Sequence, residues 1–181
     1  MLRTATVLSS LGLAAADLPV HCVKHQVLGE WVIEHEPLTA SRSKCSHKTP
    51  DIESWQPDRK LSCGDNCVKQ NVFLDVPDIV KDAKGSRIGM WTMIYDEGFQ
   101  IKLNVPPHNH DFLAFSRYTL DDVNNLATNT SLCEFTGKGW VQTLASSFTS
   151  TKDIQHGCFI AQKVGASEVA TYLFFQRQQI F

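Results

Sequence analysis

The sequence predicts an all-β domain, a barrel or a sandwich with little helix, stapled by disulfides. Three observations carry that expectation. Short runs rich in β-branched and aromatic residues recur along the 181 residues, separated by turn residues such as Gly, Pro, Asn and Asp. No stretch shows a sustained helical period, and there is no internal repeat or low-complexity linker. Six cysteines, Cys22, Cys45, Cys63, Cys67, Cys133 and Cys158, all follow a junction at Ala14-Ala15-Ala16. An even number behind such a junction reads as three disulfides in an oxidising compartment, with 15 connectivities open on spacing alone.

The junction comes first along the chain. Arg3 and a small, apolar run from Ala5 to Leu13, too short to span a bilayer, lead into it. These are the basic, apolar and small-residue parts of a secretory signal peptide. Residues 1–16 are expected to be removed, leaving Asp17 as the mature N-terminus. The plainer alternative is a retained, ordinary terminal segment.

Residues 27–34 then read as an apolar-rich strand with partial alternation, and 36–60 as loop, with Pro37, Pro50 and Pro57. Cys63-Gly64-Asp65-Asn66-Cys67 holds the turn residues that a tight local bridge needs. Residues 71–76 read as a short strand stopped by Pro77, and 82–87 as a charged turn. The clearest hairpin pairs 88–95 with 99–104 around Asp96-Glu97-Gly98. Pro106-Pro107-His108-Asn109-His110-Asp111 reads as a polar turn whose histidines face water. A strand over 112–119, an Asn-rich loop or hairpin tip over 121–130, and strands over 135–141 and 158–163 complete the pattern.

Charge narrows the partners. The chain carries 17 basic and 19 acidic residues, a net charge of -2, with no basic stripe, so nucleic acid is not an expected partner. No apolar run reaches the length of a transmembrane helix; 164–175 comes closest and contains Glu168. A soluble protein is expected, with no membrane partner. Cys63, Cys67, His108 and His110 are four candidate zinc ligands, but the balanced cysteine count behind a leader favours bridges, so neither a metal nor a cofactor is expected.

Read from Asp17, five motifs fall in order: Asp17-x-Pro19-x-x-Cys22; Leu28-Gly29-x-Trp31-Val32; Ile94-Tyr95-x-x-Gly98-Phe99-x-Ile101-x-Leu103-Asn104; Thr136-Gly137-x-Gly139-Trp140-Val141; and Cys158-Phe159-x-x-x-Lys163-Val164-Gly165. Together they resemble the exclusion domain of the cathepsin C (dipeptidyl peptidase I) family over 17–165, leaving 166–181 as a divergent tail. The resemblance implies an antiparallel up-and-down β-barrel attached to a papain-like cysteine peptidase. In that family the barrel closes the end of the substrate cleft, so that dipeptides are removed from free N-termini. The carboxylate of the mature N-terminal Asp, here Asp17, holds the substrate ammonium through a charge-assisted hydrogen bond. By the same resemblance Cys22 pairs with Cys133 and Cys45 with Cys158. Cys63–Cys67 is then a local addition.

The segment 117–132 takes the place of a family hairpin that projects into the cleft, and Asn129-Thr130-Ser131 within it is a glycosylation sequon. The resemblance also implies a tetramer of exclusion domains and a secretory, lysosome-like or extracellular destination. The family would continue beyond 165 into a propeptide and the peptidase domain, and no papain-type nucleophile sequence occurs up to Phe181. By itself, then, the chain is not expected to cut peptides, since Cys158 beside His156 reads as a disulfide partner. Two rival readings stand beside this one. Gly29-Glu30-Trp31 also suits a lipocalin-like barrel holding a small apolar ligand, and an independent enzyme would need a nucleophile–base pair that the sequence does not display.

Overall fold

The structure, a computed structural model, describes residues 21–42, 44–45, 59–105, 108–120, 129–144 and 154–166. The leader, Asp17, the 121–128 part of the Asn-rich segment and the tail from 167 lie outside the described residues. Among the described residues one helical turn, α1 (Lys24–Val27), precedes nine strands: β1 (Gly29–His35), β2 (Val68–Asp75), β3 (Ile79–Lys81), β4 (Arg87–Ile94), β5 (Gly98–Val105), β6 (His108–Leu120), β7 (Asn129–Thr136), β8 (Gly139–Thr143) and β9 (His156–Lys163). Every pairing is antiparallel, and each strand from β1 to β6 lies beside its successor.

Strands β7 and β8 run in the same direction along β6 and form one interrupted stave. Thr136 faces Ser116 while Trp140 faces Leu113, so the stave holds one residue more than its partner at Gly137-Lys138. That extra residue is a bulge, and it divides the single strand expected over 135–141. Strand β9 pairs with this stave and, through Trp31↔Lys163 to His35↔Phe159, with β1. The wall therefore closes as an eight-stave up-and-down barrel, the expected fold class.

Alternation along the staves fills the interior. Trp31 and Ile33, Val72 and Leu74, Phe99, Ile101 and Leu103, Phe112 and Ala114, Val141, Phe159 and Ala161 are all buried on the inner face. The rings of Trp31 and Phe99 meet edge-on at 5.0 Å, and those of Phe112 and Phe159 at 5.1 Å. Each such side chain contributes about 1.5–3 kcal/mol on burial. An interior packed with aromatic rings argues against a lipocalin-like ligand cavity.

The 106–111 string departs from expectation. Strand β6 already begins at His108, with Asn109 opposite Asn104 and His110 opposite Leu103. His110 is half-buried, its ring 5.5 Å from that of the buried His35, so it does not simply face water. The strand wins because its neighbours β5 and β8 supply a ladder on both sides, which a polar local sequence does not reveal. Strand β3 and helix α1 were also not foreseen; at three and four residues they are too short to show a period.

A smaller apolar cluster lies outside the barrel. Cys45, Leu61 and Cys158 are buried there, with Trp140 and Ile160 packed against them. Beyond β1 the chain follows β9, with Glu36 N donating to Cys158 O (2.9 Å) and Thr39 N to His156 O (3.0 Å). Disulfides join Cys22 to Cys133, Cys45 to Cys158 and Cys63 to Cys67, with Cα separations of 5.7, 5.4 and 5.1 Å. Burial pushes the Glu36 carboxyl up, but hydrogen bonds from Ser62 Oγ (2.5 Å), Ser62 N (2.9 Å) and Cys158 N (3.3 Å), with Lys138 nearby, outweigh it and hold Glu36 below the usual range.

Candidate functional site

The meander fixes what gathers at each end of the barrel. Strands β1, β5 and β7 start at one rim, here called upper, and β2, β4, β6 and β9 finish there. The upper rim carries the incoming chain, α1, the β4–β5 turn and the β6–β7 hairpin.

Helix α1 lies across this rim. Val27 is fully buried, and Trp31 Nε1, deep in the barrel, donates to Val27 O at 2.7 Å. Lys24 Nζ donates to Pro77 O and sits 5.3 Å from the centre of the Trp91 ring. One turn of helix is too short to stand alone, so these contacts hold it.

Just before α1, His21 and Cys22 are fixed from three directions. His21 N donates to Asp96 Oδ2 and Cys22 N to Asp96 O, both at 2.9 Å. The His21 ring stacks on Tyr118 of β6 at 4.7 Å, and Cys22 is bonded to Cys133 of β7. The receiving turn is itself shaped for this: Tyr95 adopts a left-handed φ of 51° and stands 88% exposed beside Asp96. Gly98 then lets β5 approach β6 so closely that a Cβ would lie 2.2 Å from Ala114 O. Ser116 N closes the corner by donating to Glu97 O at 2.7 Å.

Asp17 itself lies outside the described residues. Asn129 is the first residue of β7, opposite Leu120, on the part of the hairpin that extends past the barrel.

Cys158 is bonded to Cys45, which removes it as a thiolate beside His156. Cys63 and Cys67 are bonded to each other, so the four-ligand zinc set with His108 and His110 does not form. Among the described residues no group of three or more His, Cys, Asp or Glu side chains is placed to hold a metal ion. Sequence reasoning marked the upper-rim turn but missed Asp96 as the acceptor for the incoming chain. It missed α1 as the cover. A turn Asp looks the same in sequence whatever it receives.

A family model described as the cathepsin C exclusion domain matches residues 17–163. A curated protein named Cathepsin C, from Schistosoma mansoni, is 29% identical over 100 residues, covering 54% of this chain and 17% of that protein. The chain thus spans only a small part of the length of that relative.

Proposed function

The chain belongs to the cathepsin C exclusion-domain family, and on that premise we propose that it acts as the non-catalytic exclusion domain of a dipeptidyl peptidase I-like cysteine peptidase. The barrel blocks the end of a papain-like cleft, so that only dipeptides leave the free N-termini of peptides. Asp17, exposed as the mature N-terminus by removal of residues 1–16, pairs its carboxylate with the substrate ammonium. Its partners are the papain-like domain, peptide N-termini and other exclusion domains in a tetramer. The setting is the secretory pathway, ending in a lysosome-like compartment or outside the cell, with a glycan on Asn129.

One observation carries the reading. The incoming chain is tied at His21 and Cys22 to the same rim from which the β6–β7 hairpin extends. A terminal carboxylate held on a short tether beside a projecting hairpin can meet an amine and exclude whatever lies beyond it. Selectivity then comes from two penalties for the wrong substrate, a steric one and an unpaired charge.

The test is Asp17→Asn in the full enzyme carrying this domain, after mass analysis has located its mature N-terminus. Leaving one charge of such a pair unmatched costs about 2–5 kcal/mol, so kcat/KM on dipeptidyl substrates should fall at least about 30-fold. Activity unchanged in the variant, or a mature N-terminus other than Asp17, overturns the assignment.

A further inference from the structure

The lower rim, at the opposite end, brings buried polar side chains together beside the apolar interior. His35, the last residue of β1, is 4% exposed. Its Nδ1 lies 2.8 Å from Glu36 O and so carries the proton that the carbonyl accepts. The lone pair then sits on Nε2, which is buried with no hydrogen-bond partner. A buried acceptor left unmatched is destabilising, so a structure that keeps one invites an occupant.

Two further groups share this end. The ring of His110, arriving on β6 from across the barrel, is centred 5.5 Å from that of His35. Gln70 stands opposite Ile33 on β2, two residues from Val68, the partner of His35, in the inward phase of Val72 and Leu74, and its Nε2 is likewise buried without a partner.

We propose that His35 and His110 bind a borderline transition-metal ion of the Zn2+ or Cu2+ class. Two imidazoles sharing one ion, at about 2.0–2.1 Å per nitrogen, place their ring centres roughly 5–5.5 Å apart, the spacing seen here. The hydrogen bond from His35 Nδ1 to a backbone carbonyl is the support that metal-bound histidines ordinarily have, fixing the tautomer and the ring. Water completes the shell. Access is through His110, which is half-buried rather than sealed. The ion lies at the far end from the upper rim, so it would fasten β1 to β6 across the barrel without touching the proposed amine anchor.

The experiment is calorimetric titration of the full, disulfide-bonded chain with Zn2+ at neutral pH, alongside thermal melts with Zn2+ and with EDTA. His35→Phe and His110→Phe keep the aromatic packing against Phe112 and remove the ligand nitrogen. The expected result is one Zn2+ per chain, a higher Tm in Zn2+ than in EDTA, and at least ten-fold weaker binding in each variant. No Zn2+ binding by the unmodified chain overturns the proposal, as does binding that both variants retain. His110 is only half-buried, so His110→Phe supplies the answer if His35→Phe does not fold.

Discussion

Removing the Cys22–Cys133 disulfide measures how firmly the incoming chain is moored. The bridge spans 111 residues, but Cys45–Cys158 remains when it is cut. The circuit closed in the unfolded chain therefore runs 23 residues from Cys22 to Cys45, across that bridge, and 25 more from Cys158 back to Cys133, about 48 in all. The chain-entropy relation converts a loop of this size to about 4 kcal/mol. Cys22→Ala/Cys133→Ala should lose that amount in urea unfolding followed by tryptophan fluorescence, with Trp31 and Trp91 buried as reporters. Cys63→Ala/Cys67→Ala, with a separation of only 4, should lose about 2 kcal/mol. A loss below about 1 kcal/mol for the long bridge at unchanged m-value refutes the reasoning. So would a larger loss for the short bridge than for the long one.

Two other perturbations test the rim and the outer cluster. Gly98→Ala forces a methyl against Ala114 O and against Phe115 Cα at 2.8 Å, backbone that cannot swing aside. It should cost about 1–3 kcal/mol in the same assay, and a neutral result would mean that β5 and β6 are not so closely apposed. Glu36 is held below its ordinary 4.5 when folded. Its contribution is therefore present above that pH and lost as pH falls through the lowered folded value. Glu36→Gln should lose about 1–2 kcal/mol at pH 7 and show a shallower decline between pH 5 and 3 in thermal melts, whereas parallel profiles would show that Glu36 does not contribute.

Much of the architecture was legible because β5, the 158–163 part of β9 and the 88–94 part of β4 write their pairing into β-branched and aromatic residues bounded by turn residues. The closure of the wall was not legible from those patterns, since Trp31↔Lys163 joins residues from opposite ends of the chain. It followed from the family resemblance. The histidine string failed as a turn for a related reason: whether a polar residue in a strand faces water or a neighbour's ring depends on what stands across the barrel. Of the candidate site, the bond from Cys22 of the incoming chain to Cys133 was readable through the family resemblance. Its acceptor at Asp96 and its stacking on Tyr118 were not, because both are long-range contacts that leave no local periodicity.

The placement of the long bridges has a mechanical consequence. The described chain enters at His21 and leaves at Ala166 from the same rim, beside the β1–β9 seam that closes the cylinder. Tension applied through both ends would load that seam as a zipper, one backbone hydrogen bond at a time. Yet β1 lies between Cys22 and Cys45, and these are tied to Cys133 and Cys158 on the stave next to β9 and on β9 itself. A pull at residue 22 is delivered across the seam to β7, and the far end is pinned at Cys158. The barrel can be tugged by whatever is joined to it without peeling open.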